Sequence, residues 1–234
     1  MSKNFLSKAK SMLIGSEPKQ TGSAELHPIT LRTETVSTPS IHMLDGREQK
    51  EGYLAGQLLV ATPVIDSGPF QRSVVFVFAH GADGAMGVIV NQPLELVHFS
   101  SLIEGFKLPE GAENKEIPVY YGGPVERSRG FVIHTNDFIK DYTLAVHRDV
   151  SVTASSAILN DILAGNGPRK SALVVGYAGW AQGQLEQEIE QNSWIVVPSS
   201  PALIFDTEDE IKWATASKSL GVDMAFFSTV VGHA

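Results

Sequence analysis

"SVVFVFAHGADGAMGVIVNQP", Ser73–Pro93, opens on six apolar residues, Val74–Ala79, with no polar position among them. A run this rich in β-branched and aromatic residues predicts a strand buried on both faces rather than on one. Asp83-Gly84 is a hairpin signal, and Met86–Asn91 then reads as a strand returning antiparallel to the first.

Working outward, "GQLLVATP" (Gly56–Pro63) predicts an earlier strand, closed by a proline that cannot donate to a ladder. "HFSSLIEGF" (His98–Phe106) suggests a short helix. "PVYYGG" and "RGFVIHT" predict strands flanking a turn at Gly122–Arg127, and "VSVTAS" leads into a helix, "SSAILNDILAG", ended by Gly165. "SALVVGYA" is another buried strand. A turn at Gly176–Gly179 and a helix with Leu185 and Ile189 inward follow it. "SWIVVP" and "ALIFDT" read as strands, and "EDEIKWATASKSLG" as a last helix whose terminal charges suit its dipole. Hairpins early and strand–helix–strand units later predict an α+β domain: a mixed, largely antiparallel sheet flanked by helices.

The sequence divides near residue 51. The first 50 of its 234 residues hold seven Lys/Arg and five Asp/Glu, lack sustained periodicity, and predict a flexible tail over 1–51. Residues 52–234 are expected to form a single domain. After residue 50 there are 11 basic and 21 acidic residues, a balance that argues against direct nucleic-acid binding. Cysteine is absent, which excludes disulfides and thiolate chemistry. Neither a secretory apolar segment nor a run of about 20 apolar residues occurs, so the expected location is cytoplasmic.

The glycines of "GADGAMG" fit no dinucleotide or P-loop fingerprint, and "GNGPRKS" (Gly165–Ser171) follows a helix and precedes a strand, the reverse of a phosphate loop. Seven scattered histidines make no metal-ligand spacing, so no metal and no cofactor is expected. His80, three residues before Asp83, is either a general base oriented by that carboxylate or an anchor for turn backbone. Ser73 and His80 stand about 23 Å apart along one strand, which rules out a local triad. Glu186, Glu188 and Glu190 lie two apart on a helix, about 200° around the axis at each step, so the three do not share one face. Tyr177, Trp180 and Trp194, around the same helix, read as packing residues.

"GQLLVATPVI", "FQRSVVFVFAHGADGAMGVIVNQPLE", "VYYGGPVERSRGFVIHT", "VVGYAGWAQGQLEQEIEQNSWIVVP" and "LGVDMAFFSTVVGHA" resemble, in this order, the AlgH/YqgE family of bacterial proteins. The resemblance spans nearly all of Gly56–Ala234 and leaves out the tail. It implies a cytoplasmic α+β domain with a small barrel-like portion and a transcriptional-regulatory role, and it supplies no catalytic residue set. Many relatives carry Cys-Glu-His where this chain has Phe78-Ala79-His80, so a thiol-dependent role cannot operate here.

The family-like stretches offer Arg72, His80, Asn91, Arg129, Gln184 and Glu188 as binding candidates. The two arginines can fork onto a carboxylate or phosphate, or pair within this acidic protein. The expected function is regulation through an unidentified protein or small-ligand partner rather than catalysis. The alternatives are a small-molecule enzyme using His80 with Arg72 or Arg129, and a direct DNA-binding regulator.

Overall fold

The computed structural model describes residues 53–98, 116–219 and Gly221. Ten strands among them form one sheet: β1 Gln57–Ala61, β2 Val74–Gly81, β3 Gly84–Ile89, β4 Pro93–His98, β5 Glu116–Tyr121, β6 Val125–Thr135, β7 Thr143–Ala145, β8 Val150–Thr153, β9 Ser171–Ala181 and β10 Trp194–Pro198. Their order is β10-β1-β2-β3-β9-β6-β8-β7, with β5 also on β9 and β4 on β5. Every pairing is antiparallel except β5 with β9. The sheet curls into a half-barrel carrying helices α1 Ala157–Leu163, α2 Gln184–Glu190 and α3 Asp209–Lys218, an α+β fold as the sequence predicts.

Alternation along the strands builds three cores. Leu58, Val60, Val74, Phe76, Phe131, Ile133 and Val174 point into the curl. Their neighbours Leu59, Ala61, Val75 and Val77 point outward, where they pack with Leu185 of α2. On the other half of the sheet Val132, Leu173 and Val175 pack outward with Ile158, Leu159 and Leu163 of α1. The all-apolar run of β2 is therefore explained, because both of its faces are covered.

Strand β9 joins the two halves. Ser171–Val175 pair with β5 and β6, whereas Ala178–Ala181 pair with β3. Between them Gly176 takes φ 74°, which bends the strand from one half to the other. A Cβ on Gly176 would lie 2.4 Å from the Gly123 carbonyl oxygen, and one on Gly122 would lie 2.3 Å from that of Gly176. "YYGG" and "VVGY" are thus two sides of one close backbone crossing.

The turn expected at Gly176–Gly179 is instead continuous strand. The glycines there bend β9 without ending it, because β3 supplies hydrogen-bonding partners past the bend. "ALIFDT" is not a strand but a π-helical segment, Ala202–Asp206, preceded by Pro201 at φ −55° and ψ −37°. A short apolar run has no periodicity to separate the two outcomes, and a proline already in helical geometry favours the turn. The turn after "YYGG" is shorter than expected, with β6 beginning at Val125, and Pro93–His98 is strand. The tail over 1–51, the rest of "HFSSLIEGF" and the segment after Gly221 lie outside the described residues.

Candidate functional site

The six sequence candidates fall into three separate groups. The largest surrounds α2. A register shift between Val77 and Ala79 puts Phe78 and Ala79 both against the inner core. By this bulge His80 is turned outward beneath α2, where regular alternation would have sent it inside. His80 Nδ1 accepts the Leu54 N–H at 3.0 Å, so Nε2 carries the proton and donates to Glu186 Oε1 at 2.8 Å. The ring is 1% exposed and edge-on to Tyr53. The orienting carboxylate comes from Glu186, 106 positions along the chain, in place of Asp83.

Glu188 accepts both indole N–H groups, Trp180 Nε1 at 2.9 Å and Trp194 Nε1 at 2.7 Å, through one oxygen. Its other oxygen accepts Gln184 Nε2 at 2.9 Å, while Gln184 Oε1 accepts the Ala181 N–H at 3.0 Å. Trp180 and Trp194 pack edge-to-face at 6.0 Å. This network ties α2 to β9 and β10. Trp180 and Trp194 are packing residues, as expected, and the carboxylate that holds them is Glu188.

A second group lies at the opposite end of β2. Asn91 accepts the Val74 N–H at 2.7 Å and donates to the Arg72 carbonyl at 2.9 Å. Arg72 itself has φ 52°, and its guanidinium stacks over Trp213 at 5.5 Å. Arg129 makes the third group, over the Phe131 ring at 5.1 Å and against Glu126 at 3.3 Å. Arg72 and His80 are separated by the length of β2, about 26 Å at the usual rise.

A concave feature lies elsewhere, between the sheet and the π-helical segment. It is a cleft of about 410 Å³. Pro118 and Tyr120 of β5, Ile133 of β6, and Ala172 and Val174 of β9 form its sheet side. Ile204, Phe205 and Asp206 form the opposite wall, and Pro168–Ser171 the rim. A second cleft of about 370 Å³, lined by Asn136, Asp137, Asp149 and Pro201 among others, adjoins it. Arg169 and Lys170 border both, so the basic pair forms a ridge between them.

Each of these cations has a carboxylate partner. Asp137 accepts the Arg169 N–H at 3.0 Å and Nε at 3.2 Å. Desolvation opposes ionisation of Asp137, but hydrogen bonds from Thr135 and the Arg169 amide, with the Arg169 charge, outweigh it and hold the carboxyl below its usual range. Lys170 Nζ donates to both oxygens of Asp206 and so spans the cleft mouth to the π-helical segment.

Behind the cleft, Lys212 is buried and fully bonded. Its Nζ donates to Val90 O at 2.7 Å, Ile204 O at 2.9 Å and Asp209 Oδ1 at 2.7 Å. The three acceptors pin the π-helical segment and α3 to the end of β3. Tyr120 donates to Asp209 Oδ2 at 3.3 Å, and burial followed by the Asp209 charge pushes its phenol up to about 12. Tyr120 is therefore a neutral wall at physiological pH. Among the described residues no group of His, Cys, Asp or Glu side chains could hold a metal ion.

Sequence reasoning passed over this cleft. Its one signal was Arg169-Lys170, the only adjacent basic pair after residue 50. It was set aside because the surrounding element order is the reverse of a phosphate loop, and the segment opposite it was read as strand.

Comparison with known proteins places the fold and the sequence together. The family model described as AlgH-like matches residues 58–225. A UPF0301 protein of Nitrobacter hamburgensis is 45% identical over 194 residues, covering 79% of this chain and 89% of that protein. A UPF0301 protein of Afipia carboxidovorans is 41% identical over 204 residues, covering 82% and 97%. The solution structure of the AlgH protein from Pseudomonas aeruginosa superposes with a TM-score of 0.63 at 33% identity, over 80% of this chain and 100% of that one.

Proposed function

This chain belongs to the AlgH-like family, and we propose that it serves as a regulator that works by binding a small ligand in the cleft beneath the π-helical segment. The supporting observation is a contrast in commitment. The site candidates His80 and Glu188 are engaged in hydrogen bonds that hold secondary structure in place. The cleft, in contrast, is a concavity in which Pro118, Tyr120 and Phe205 share the lining with two cations at its rim. Small-ligand sites commonly combine a mostly apolar concavity with a few placed polar groups.

The reading assigns a cytoplasmic role upstream of DNA. Arg169 and Lys170 already carry carboxylate partners, and two such charges give a salt slope near −2, well short of a committed DNA binder. Duplex binding no tighter than about 10⁻⁴ M at physiological salt is expected.

Hydrogen exchange during a small-molecule screen tests the reading. Bound compounds should protect Pro118–Tyr120, Pro168–Ala172 and Ala202–Asp206 and should be recovered unchanged. Turnover of a compound that disappears in a folded His80→Gln variant would put the enzyme reading first.

A further inference from the structure

The protein is acidic overall, whereas around the cleft each cation is matched by one carboxylate. After residue 50 the chain carries ten more acidic than basic residues. The lining of the larger cleft holds two cations, Arg169 and Lys170, against one carboxylate, Asp206. Tyr120 adds no charge, because its phenol is held protonated up to about 12. Lys212 lies behind the wall and is matched by Asp209.

The Lys170–Asp206 pair is also an exposed tie of the π-helical segment. Its side chains are 43% and 49% exposed, and exposed ion pairs contribute little. The buried Lys212 holds the same segment at Ile204, from the inner side. An exposed pair therefore bridges the mouth, while a buried one anchors the back of the segment. π-helical turns recur at functional sites.

We propose that the cleft takes a small amphipathic anion. Its apolar body lies against Pro118, Tyr120 and Phe205, the accessible part of a wall backed by the buried Ile133, Val174 and Ile204, and its carboxylate or phosphate group displaces Asp206 from Lys170 with help from Arg169. This inference rests on the ligand-binding reading above and adds the ligand class. It also assigns Asp206 a role as an internal competitor, so that binding frees the exposed side of the π-helical segment and reports occupancy to the surface.

Calorimetric titration of the full chain with 1-naphthyl phosphate, 1-naphthol and inorganic phosphate tests the proposal, with methyl NMR shifts of Ile133, Val174 and Ile204 locating the ligand. Naphthyl phosphate should bind at least about tenfold tighter than either of the other two, since only it fills the apolar body and meets the cations. Lys170→Gln should weaken it by about tenfold, the loss of one charge-assisted bond. Asp206→Asn should tighten it several-fold by removing the competitor. A purely structural role for the pair would not reverse sign between the two variants. Equal binding of naphthol and naphthyl phosphate at the same methyls would overturn the anion class while leaving the cleft as a ligand site. Binding that leaves those methyls unshifted, or no binding by any of the three probes, would overturn both. Unchanged thermal unfolding of the two exposed-site variants would assign their affinity changes to the site and not to the fold.

Discussion

The α2 face and the cleft use similar polar residues to opposite ends. On the α2 face His80, Gln184 and Glu188 each meet a partner that holds an element in place. His80 joins the Leu54 backbone to α2, and Glu188 joins two indoles and an amide. Across the sheet, Arg169 and Lys170 stand in exposed pairs over open space. Polar residues such as His80 and Glu188 in the family-like stretches invite a chemical reading, yet their hydrogen bonds are structural. The open site lies where the polar groups are least committed.

Four measurements would break or sharpen this contrast. The largest effect should come from the bend the two regions share. Gly176→Ala combines a left-handed backbone with a Cβ 2.4 Å from a carbonyl oxygen, and should cost about 3–5 kcal/mol in chemical denaturation. A loss under about 1 kcal/mol would mean the crossing relaxes easily and the two regions are not rigidly coupled.

Next comes the α2 network. Glu188→Ala strands two indole N–H groups that its carboxylate now accepts, and should cost about 2–3 kcal/mol. Glu190→Ala, two residues on and exposed, should cost under about 0.5 kcal/mol. Comparable losses in the two variants would remove the argument that Glu188 is committed to structure.

A pH effect belongs to the cleft side. His134 is buried beside the Pro168–Ser171 rim, bonded to the Thr135 carbonyl and to the Thr153 hydroxyl, each at 3.0 Å. Burial lowers its pKa, against the smaller opposing effect of the Thr135 carbonyl. The unfolded chain therefore takes up a proton below the ordinary histidine value of about 6.5, while the folded protein resists it. Stability should be full above that pH and should fall below it, until the depressed folded pKa is reached, by at most about 1.4 kcal/mol per pH unit. Melting temperatures from pH 7.5 to 5 should show this fall, and His134→Gln should flatten it. An identical slope in that variant would assign the acid sensitivity to other groups.

The smallest effect concerns the ridge. Lys170→Gln should change unfolding stability by less than about 0.5 kcal/mol, because its ion pair is exposed. A loss like that of Glu188→Ala would erase the contrast, since the ridge would then be as structural as the α2 network.

The family-like stretches made the main strands legible because each strand's apolar character is written in consecutive residues. Leu185, fully buried under α2, was legible in the same way from helical spacing. The hairpin was equally local. It closes as a two-residue loop, Ala82–Asp83, between the paired Gly81 and Gly84. "ALIFDT" misled because five apolar-rich residues suit a strand or a turn of helix equally, and only packing chooses. Arg169-Lys170 was visible as a charge pair, but its meaning depended on Asp206, 36 positions from Lys170.

By itself, then, the sequence determined the strand runs, the two covered faces of β2, the acidic balance and the membership of a family. Hydrophobic periodicity, turn chemistry and residue order are local or additive properties of the chain. Tertiary structure alone decided that a bulge turns His80 toward Glu186, that β9 continues through its glycines, and that a basic pair faces a π-helical segment across a cleft. Those outcomes depend on register and on partners 36 and 106 residues apart, and such pairings acquire their energy only once the intervening chain has folded.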